Sequence, residues 1–105
     1  MDQDILALAR EAAAKRVLFT PHALSQMSRA ALVITSKEIV RVVENGAVIE
    51  DYPEDVRGHS CLILGFGDDN RPIHVVCAPK PDFLAIITTY LPDPDQWSAD
   101  FSKRL

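Results

Sequence analysis

Five side chains in this sequence have the means to move protons or grip a phosphate: His22, Arg29, His74, Thr88 and Tyr90. His22 follows Thr20-Pro21, which reads as the opening of a helix. Threonine suits the cap, and proline suits the first position, whose N–H has no partner in any case. The positive end of the peptide dipoles there disfavours imidazolium and leaves a neutral imidazole, as a general base requires. Gln26 and Arg29 follow on the same helix face, so a guanidinium able to hold phosphate bidentately accompanies the histidine. His74, Thr88 and Tyr90 sit inside apolar, β-rich runs, where a polar group is costly unless hydrogen-bonded. A base, a cation and a proton donor are together what metal-free cleavage of RNA by its own 2′-hydroxyl needs. The plainer reading makes His22 and Arg29 a solvated helix face and His74 a satisfied sheet residue.

The elements that position these residues follow from periodicity and turn chemistry. Residues 2–15 form an amphipathic helix pattern, with Ile5, Leu6, Leu8, Ala9, Ala12 and Ala13 as its apolar side. Residues 17–19 make a short edge strand, and the helix opened by Thr20 follows. "TSKE" at Thr35 is a capping box for a third helix with Ile39, Val42 and Val43 inward, ended by Asn45-Gly46 in a left-handed stop. "AVIEDY" (47–52) is a strand. Three more run near 60–66, 72–78 and 83–91, separated by the turn-rich "GDDNR" and "PKPD". The expected class is α+β: N-terminal helices packed on a four-stranded antiparallel sheet.

Centring the first hairpin on Asp69 sets Cys61 opposite Cys77 and Leu64 opposite His74. Leu62, Leu64, Phe66, His74 and Val76 then share one face, and Cys61, Ile63, Ile73, Val75 and Cys77 the other. A five-residue second loop sets His74 opposite Thr88.

At 105 residues, 48% hydrophobic and 25% charged, the chain is expected to be a single domain: the helix 2–15, a core over 17–97 and a tail over 98–105. The net charge of −4 argues against a general nucleic-acid binder but leaves room for a local basic cleft. Arg57 and His59, in the loop "PEDVRGH", and Lys15 and Arg16 at its margin are the candidate substrate-binding residues. Trp97 reads as a core anchor for the tail. No apolar run is long enough to span a membrane, and the start lacks a signal-peptide pattern, so a cytoplasmic location is expected. His59, Cys61, His74 and Cys77 lack zinc-finger spacing, and the register points His74 away from the other three, so no metal is expected. No nucleophile elbow or phosphate-binding glycine loop is present, and no cofactor is expected.

"FTPHALSQMSRA", "ITSKEIVRVVENGAVIEDYPED", "NRPIHVV" and "TTYLPDPDQW" together resemble the family known as domain of unknown function 4258, grouped with RelE-like toxins. The resemblance runs from about Phe19 to Arg104. It implies helices on an antiparallel sheet and a metal-independent endoribonuclease of a toxin–antitoxin pair, with RNA and a protein antitoxin as partners. Ala30 and Ala31 stand where that pattern would carry a polar or basic residue and a glycine. The alternative is a non-catalytic interaction or inhibitor module that uses an apolar sheet face, for instance as a homodimer.

Overall fold

Ile5, Ala9 and Ala12 recur along one side of the first helix, α1 (Ile5–Lys15), and all three are buried. The computed structural model describes residues 4–29 and 33–105. The start of the expected first helix and the Ala30-Ala31 pair lie outside the described residues. Asp4 caps α1 by accepting from the Leu6 N–H at 3.1 Å. Small residues on the inner side let this helix lie close to its neighbours. At its outer side Arg10 donates to the carbonyls of Val43 and Gly46, at 2.9 and 3.1 Å. A cation thereby satisfies the C-terminal end of another helix.

The chain continues through β1 (Val17–Phe19), α2 (Pro21–Met27), α3 (Ser36–Asn45), β2 (Ala47–Tyr52), β3 (Ser60–Phe66), β4 (Pro72–Pro79) and β5 (Leu84–Tyr90). The cap of α2 is as the sequence requires: Thr20 Oγ1 accepts from the Ala23 N–H, with Pro21 in the first turn. The capping box of α3 is complete, with Thr35 Oγ1 accepting from Glu38 N–H and Glu38 accepting from Thr35 N–H.

Among the described residues the sheet has five strands in the order β1-β5-β4-β3-β2. The four antiparallel strands expected are β2 to β5; the fifth, β1, joins the edge parallel to β5, Val17 opposite Leu84 and Phe19 opposite Ile86. The sheet is therefore mixed. A chain segment of only three residues sufficed, because Arg16 accepts from Leu84 N–H and Thr20 donates to Ile86 at its two ends.

The helices pack on one face only. Ile5, Ala9 and Ala12 of α1, Ala23 and Met27 of α2, and Ile39, Val42 and Val43 of α3 form one core with Cys61, Ile63, Ile73, Val75, Cys77, Leu84 and Ile86. Each large aliphatic side chain fully buried there contributes about 1.5–3 kcal/mol of transfer free energy. The first hairpin has the expected register, Cys61 opposite Cys77 and Leu64 opposite His74. Asp69 and Asn70 adopt φ of 57° and 56° at its tip, a conformation these two residue types tolerate.

Two local expectations are corrected. The β4–β5 turn closes at Lys80 N–H to Phe83 O, and a register shift lies between Val76 and Cys77, opposite Thr88 and Ile86. Ile87 is the extra residue of that bulge, so His74 faces Tyr90 and Thr88 faces Val76. Gly46 ends α3 in extended backbone, φ −83° and ψ −174°, not in the left-handed form. Glycine is needed there for space: a Cβ would sit 2.5 Å from the carbonyl oxygens of Leu64 and Val42.

Candidate functional site

The face of the sheet away from the helices carries Glu50 and Tyr52 from β2, Leu62 and Leu64 from β3, His74 and Val76 from β4, and Thr88 and Tyr90 from β5. β2 contributes because a register shift between Val48 and Glu50 turns Glu50 and Tyr52 to this side, opposite Leu62 and Ser60. The C-terminal segment then folds back over the face. Trp97 packs edge-on against His74, ring centroids 4.4 Å apart at 87°. It is itself buried, as a tail anchor should be.

His74 is the centre of this cluster and is fully buried. Its Nε2 lies 2.9 Å from the carbonyl oxygen of Phe101 and its Nδ1 3.3 Å from the Tyr90 hydroxyl. A carbonyl can only accept, so Nε2 carries the proton, and Nδ1 accepts from Tyr90. Burial lowers the His74 pKa below its ordinary range, so the ring is neutral at neutral pH. Burial likewise raises that of Tyr90, which keeps its proton.

Next to the imidazole stands a second group. Arg104 grips Glu50 bidentately, Nε to Oε2 at 2.8 Å and Nη2 to Oε1 at 3.0 Å. It also lies 4.8 Å over the Trp97 ring. The Tyr52 hydroxyl donates to the same carboxylate. These bonds, Arg104 first, hold the Glu50 carboxyl below its usual range, while burial pushes Tyr52 up to about 12. Two hydrogen-bonded sets, Arg104–Glu50–Tyr52 and Tyr90–His74–Phe101 O, thus meet at Trp97, which touches both Arg104 and His74. Glu50 is the carboxylate of this face, and Tyr52 and Tyr90 are its hydroxyl donors.

The expected site residues are divided by the sheet. His74, Thr88 and Tyr90 share the helix-free face, though Thr88 faces Val76. His22 and Arg29 belong to the helical layer: both are exposed on or next to α2, whose inner residues Ala23 and Met27 are part of the helix-side core. Arg29 lines a shallow depression of about 200 Å³ that reaches the end of β5 through Thr89, Tyr90 and Leu91. His22 lies at the opposite end of α2 from it.

Most of the remaining cations are engaged elsewhere. Arg57 pairs with Asp55, Nη2 to Oδ2 at 3.0 Å and Nε to Oδ1 at 3.0 Å, and holds that carboxyl well below its usual range. His59 meets Asp51 at 2.5 Å. Lys15 donates to Pro81 O at 2.9 Å, and Lys80 donates to Arg57 O, which draws this basic set to the end of the sheet bearing the β4–β5 turn. Arg16 is exposed beside Lys15. His74 and Cys77 point to opposite faces of β4, while Cys61 and Cys77 meet across the strands as free, buried thiols.

Sequence reasoning passed over Glu50, Tyr52 and Arg104. Alternation in "AVIEDY" pairs Glu50 with Tyr52 but also with Val48, which faces the helices, so only the register shift after Val48 brings them to this face. Arg104 gave no signal, because nothing in "SADFSKRL" has a period.

The fold and the cluster define an α+β domain with helices on one side of a mixed sheet and a titratable group on the other. The family model described as "Domain of unknown function (DUF4258)" matches residues 19–91. The chain belongs to this family. No curated protein and no solved structure matches it. Glu50, Tyr52, His74 and Tyr90 lie inside the matched span; Trp97, Phe101 and Arg104 lie beyond it.

Proposed function

We propose that this protein is a RelE-like toxin-superfamily domain, a cytoplasmic, metal-independent endoribonuclease paired with a protein antitoxin. The observation that carries the reading is the gathering of Glu50, Tyr52, His74 and Tyr90 on the one sheet face that the helices leave uncovered. Glu50 takes the 2′-hydroxyl proton as the 2′-oxygen attacks phosphorus. Tyr90, oriented by neutral His74, gives a proton to the departing 5′-oxygen, leaving a 2′,3′-cyclic phosphate and a 5′-hydroxyl end. Arg29, in the depression beside Tyr90, holds the RNA backbone next to the reacting phosphate.

The test is cleavage of single-stranded RNA in excess chelator, with the new ends mapped, alongside growth arrest on expression. Glu50→Gln and Tyr90→Phe should each lower cleavage about 100-fold or more, the range of a lost acid or base. Both variants should keep the thermal unfolding transition.

One observation favours a second reading, a non-catalytic interaction or inhibitor module. His74 has 0% exposure, and the chain's own tail occupies the face. Absence of cleavage and growth arrest, together with a concentration-dependent homodimer or a tight protein partner, would favour that module.

A further inference from the structure

We infer that residues 96–105 form a displaceable strap that closes the helix-free face over His74, with the Arg104–Glu50 pair as its latch. The strap is held together by its own bonds. Ser98 N–H donates to Lys103 O at 2.7 Å, Phe101 N–H to Ser98 O at 2.8 Å and Leu105 N–H to Gln96 O at 3.0 Å. The Asp100 carboxylate accepts from the hydroxyls of Ser98 and Ser102, both at 2.7 Å. It can therefore leave the sheet as a unit without unravelling.

Its hold on the sheet is of a different kind. The polar part consists of Phe101 O on His74 and Arg104 on Glu50. The Arg104 side chain is 63% exposed, so the latch works largely in water, where an ion pair is weak and screened by salt. Phe101 reaches His74 at φ 64°, a conformation an L-residue with a large side chain rarely adopts. That conformation belongs to the strap's own turn, where Phe101 N–H donates to Ser98 O and Ser98 N–H to Lys103 O, and it aims the Phe101 carbonyl at the imidazole. The connection to β5 runs through Pro92 and Pro94, which donate no backbone hydrogen bonds to the sheet. The strap also lies wholly beyond the family-matched span, while the residues it covers lie inside it.

Closed, the strap accepts the hydrogen bond of Nε2–H through Phe101 O and shields the imidazole from solvent. Opening exposes His74 and Tyr90 and frees Glu50 from Arg104. That this gates activity rests on the ribonuclease reading; the strap's movement does not.

The full-length protein carries its own controls. His22 and His59 are exposed, His74 is buried, and Cys61 and Cys77 are buried on the opposite face. Histidine acylation by diethyl pyrocarbonate, read by mass spectrometry, and thiol labelling are followed together. Wild-type His74 should react at least about tenfold more slowly than His22. Arg104→Gln, or high salt on the wild type, should raise the His74 rate several-fold with His22, His59 and both thiols unchanged. Trp97→Ala is the second opening variant. Protection of His74 in both variants overturns the strap, as does exposure of His74 only in step with the thiols, which is global unfolding. If the opened variants cleave RNA faster than wild type, the strap is a gate. If His74 becomes exposed and no form cleaves RNA, the strap stands and the ribonuclease reading falls.

Discussion

Arg71 clamps the buried Glu38 carboxylate from the β3–β4 hairpin, with Nη2 2.8 Å from Oε1 and Nε 3.1 Å from Oε2. The same carboxylate accepts from Thr35 N–H at 3.1 Å and Asp68 N–H at 2.9 Å, so the helix cap and the hairpin tip share one anion. Arg71 also donates to Val33 O. These bonds, Arg71 foremost, outweigh burial and hold the Glu38 pKa at about 2.

Glu38→Gln should therefore destabilise the protein by about 3 kcal/mol, the low end for breaking a buried pair, since Arg71 is partly exposed. The Glu38 pKa is depressed in the folded state. Its contribution is thus complete above the ordinary value of 4.5 and is lost as pH falls toward 2. Urea unfolding across that acid range should show a steeper loss in wild type than in Glu38→Gln. Equal slopes would remove Glu38 from the acid sensitivity of the fold.

Gly46→Ala should cost about 1–3 kcal/mol or more, the range for overpacking, because both atoms at 2.5 Å are backbone carbonyls that cannot swing aside. The shift in the urea midpoint measures it. A neutral substitution would mean that the end of α3 and β3 can separate without cost.

What the sequence made legible was local. The caps of α2 and α3 depend on side chains within three residues of the backbone they satisfy, so Thr20 and Thr35 could be assigned by inspection. The first hairpin's register followed from its short loop. The bulge at Ile87 did not, because an extra residue in an apolar run leaves no mark. The parallel pairing of β1 was hidden for a related reason: three residues, Val17–Phe19, carry too little pattern to name a partner. Glu38 was read through its cap alone, and its long-range partner Arg71 went unseen. The candidate site was half legible. His74 and Tyr90 stood out as polar residues in apolar strands, but Arg104 and the Phe101 carbonyl reach them through a fold-back with no periodicity.

Cys61 and Cys77 face each other across β3 and β4 inside the helix-side core, and the neighbouring Cys61 thiol together with burial pushes the Cys77 thiol up. Both should react with a thiol reagent on the order of 10³-fold or more slowly in the native protein than in denaturant, a factor set by the small unfolded fraction. Rapid labelling of either thiol would show that the helical layer opens locally over β3 and β4.

The surroundings of His74 oppose its charged form. Tyr90, Trp97 and the Phe101 carbonyl face the ring, with Glu50 and Arg104 acting on it from opposite signs. Desolvation is the largest influence and lowers its pKa from 6.5. A second ring proton would also point at Tyr90, whose hydroxyl now donates to that nitrogen. In the unfolded chain the imidazole takes a proton at its ordinary pKa; in the folded chain it resists until lower pH. The unfolded state therefore binds more protons in this window, and the stabilisation present above 6.5 is lost as pH falls toward the lowered folded value. Denaturant unfolding between about pH 8 and about pH 5 should show wild-type stability falling with acidification. His74→Gln retains a donor for Phe101 O without titrating, so its profile there should be flatter. A profile unchanged by that substitution would assign the sensitivity to other groups and leave His74 ionising freely beneath the tail.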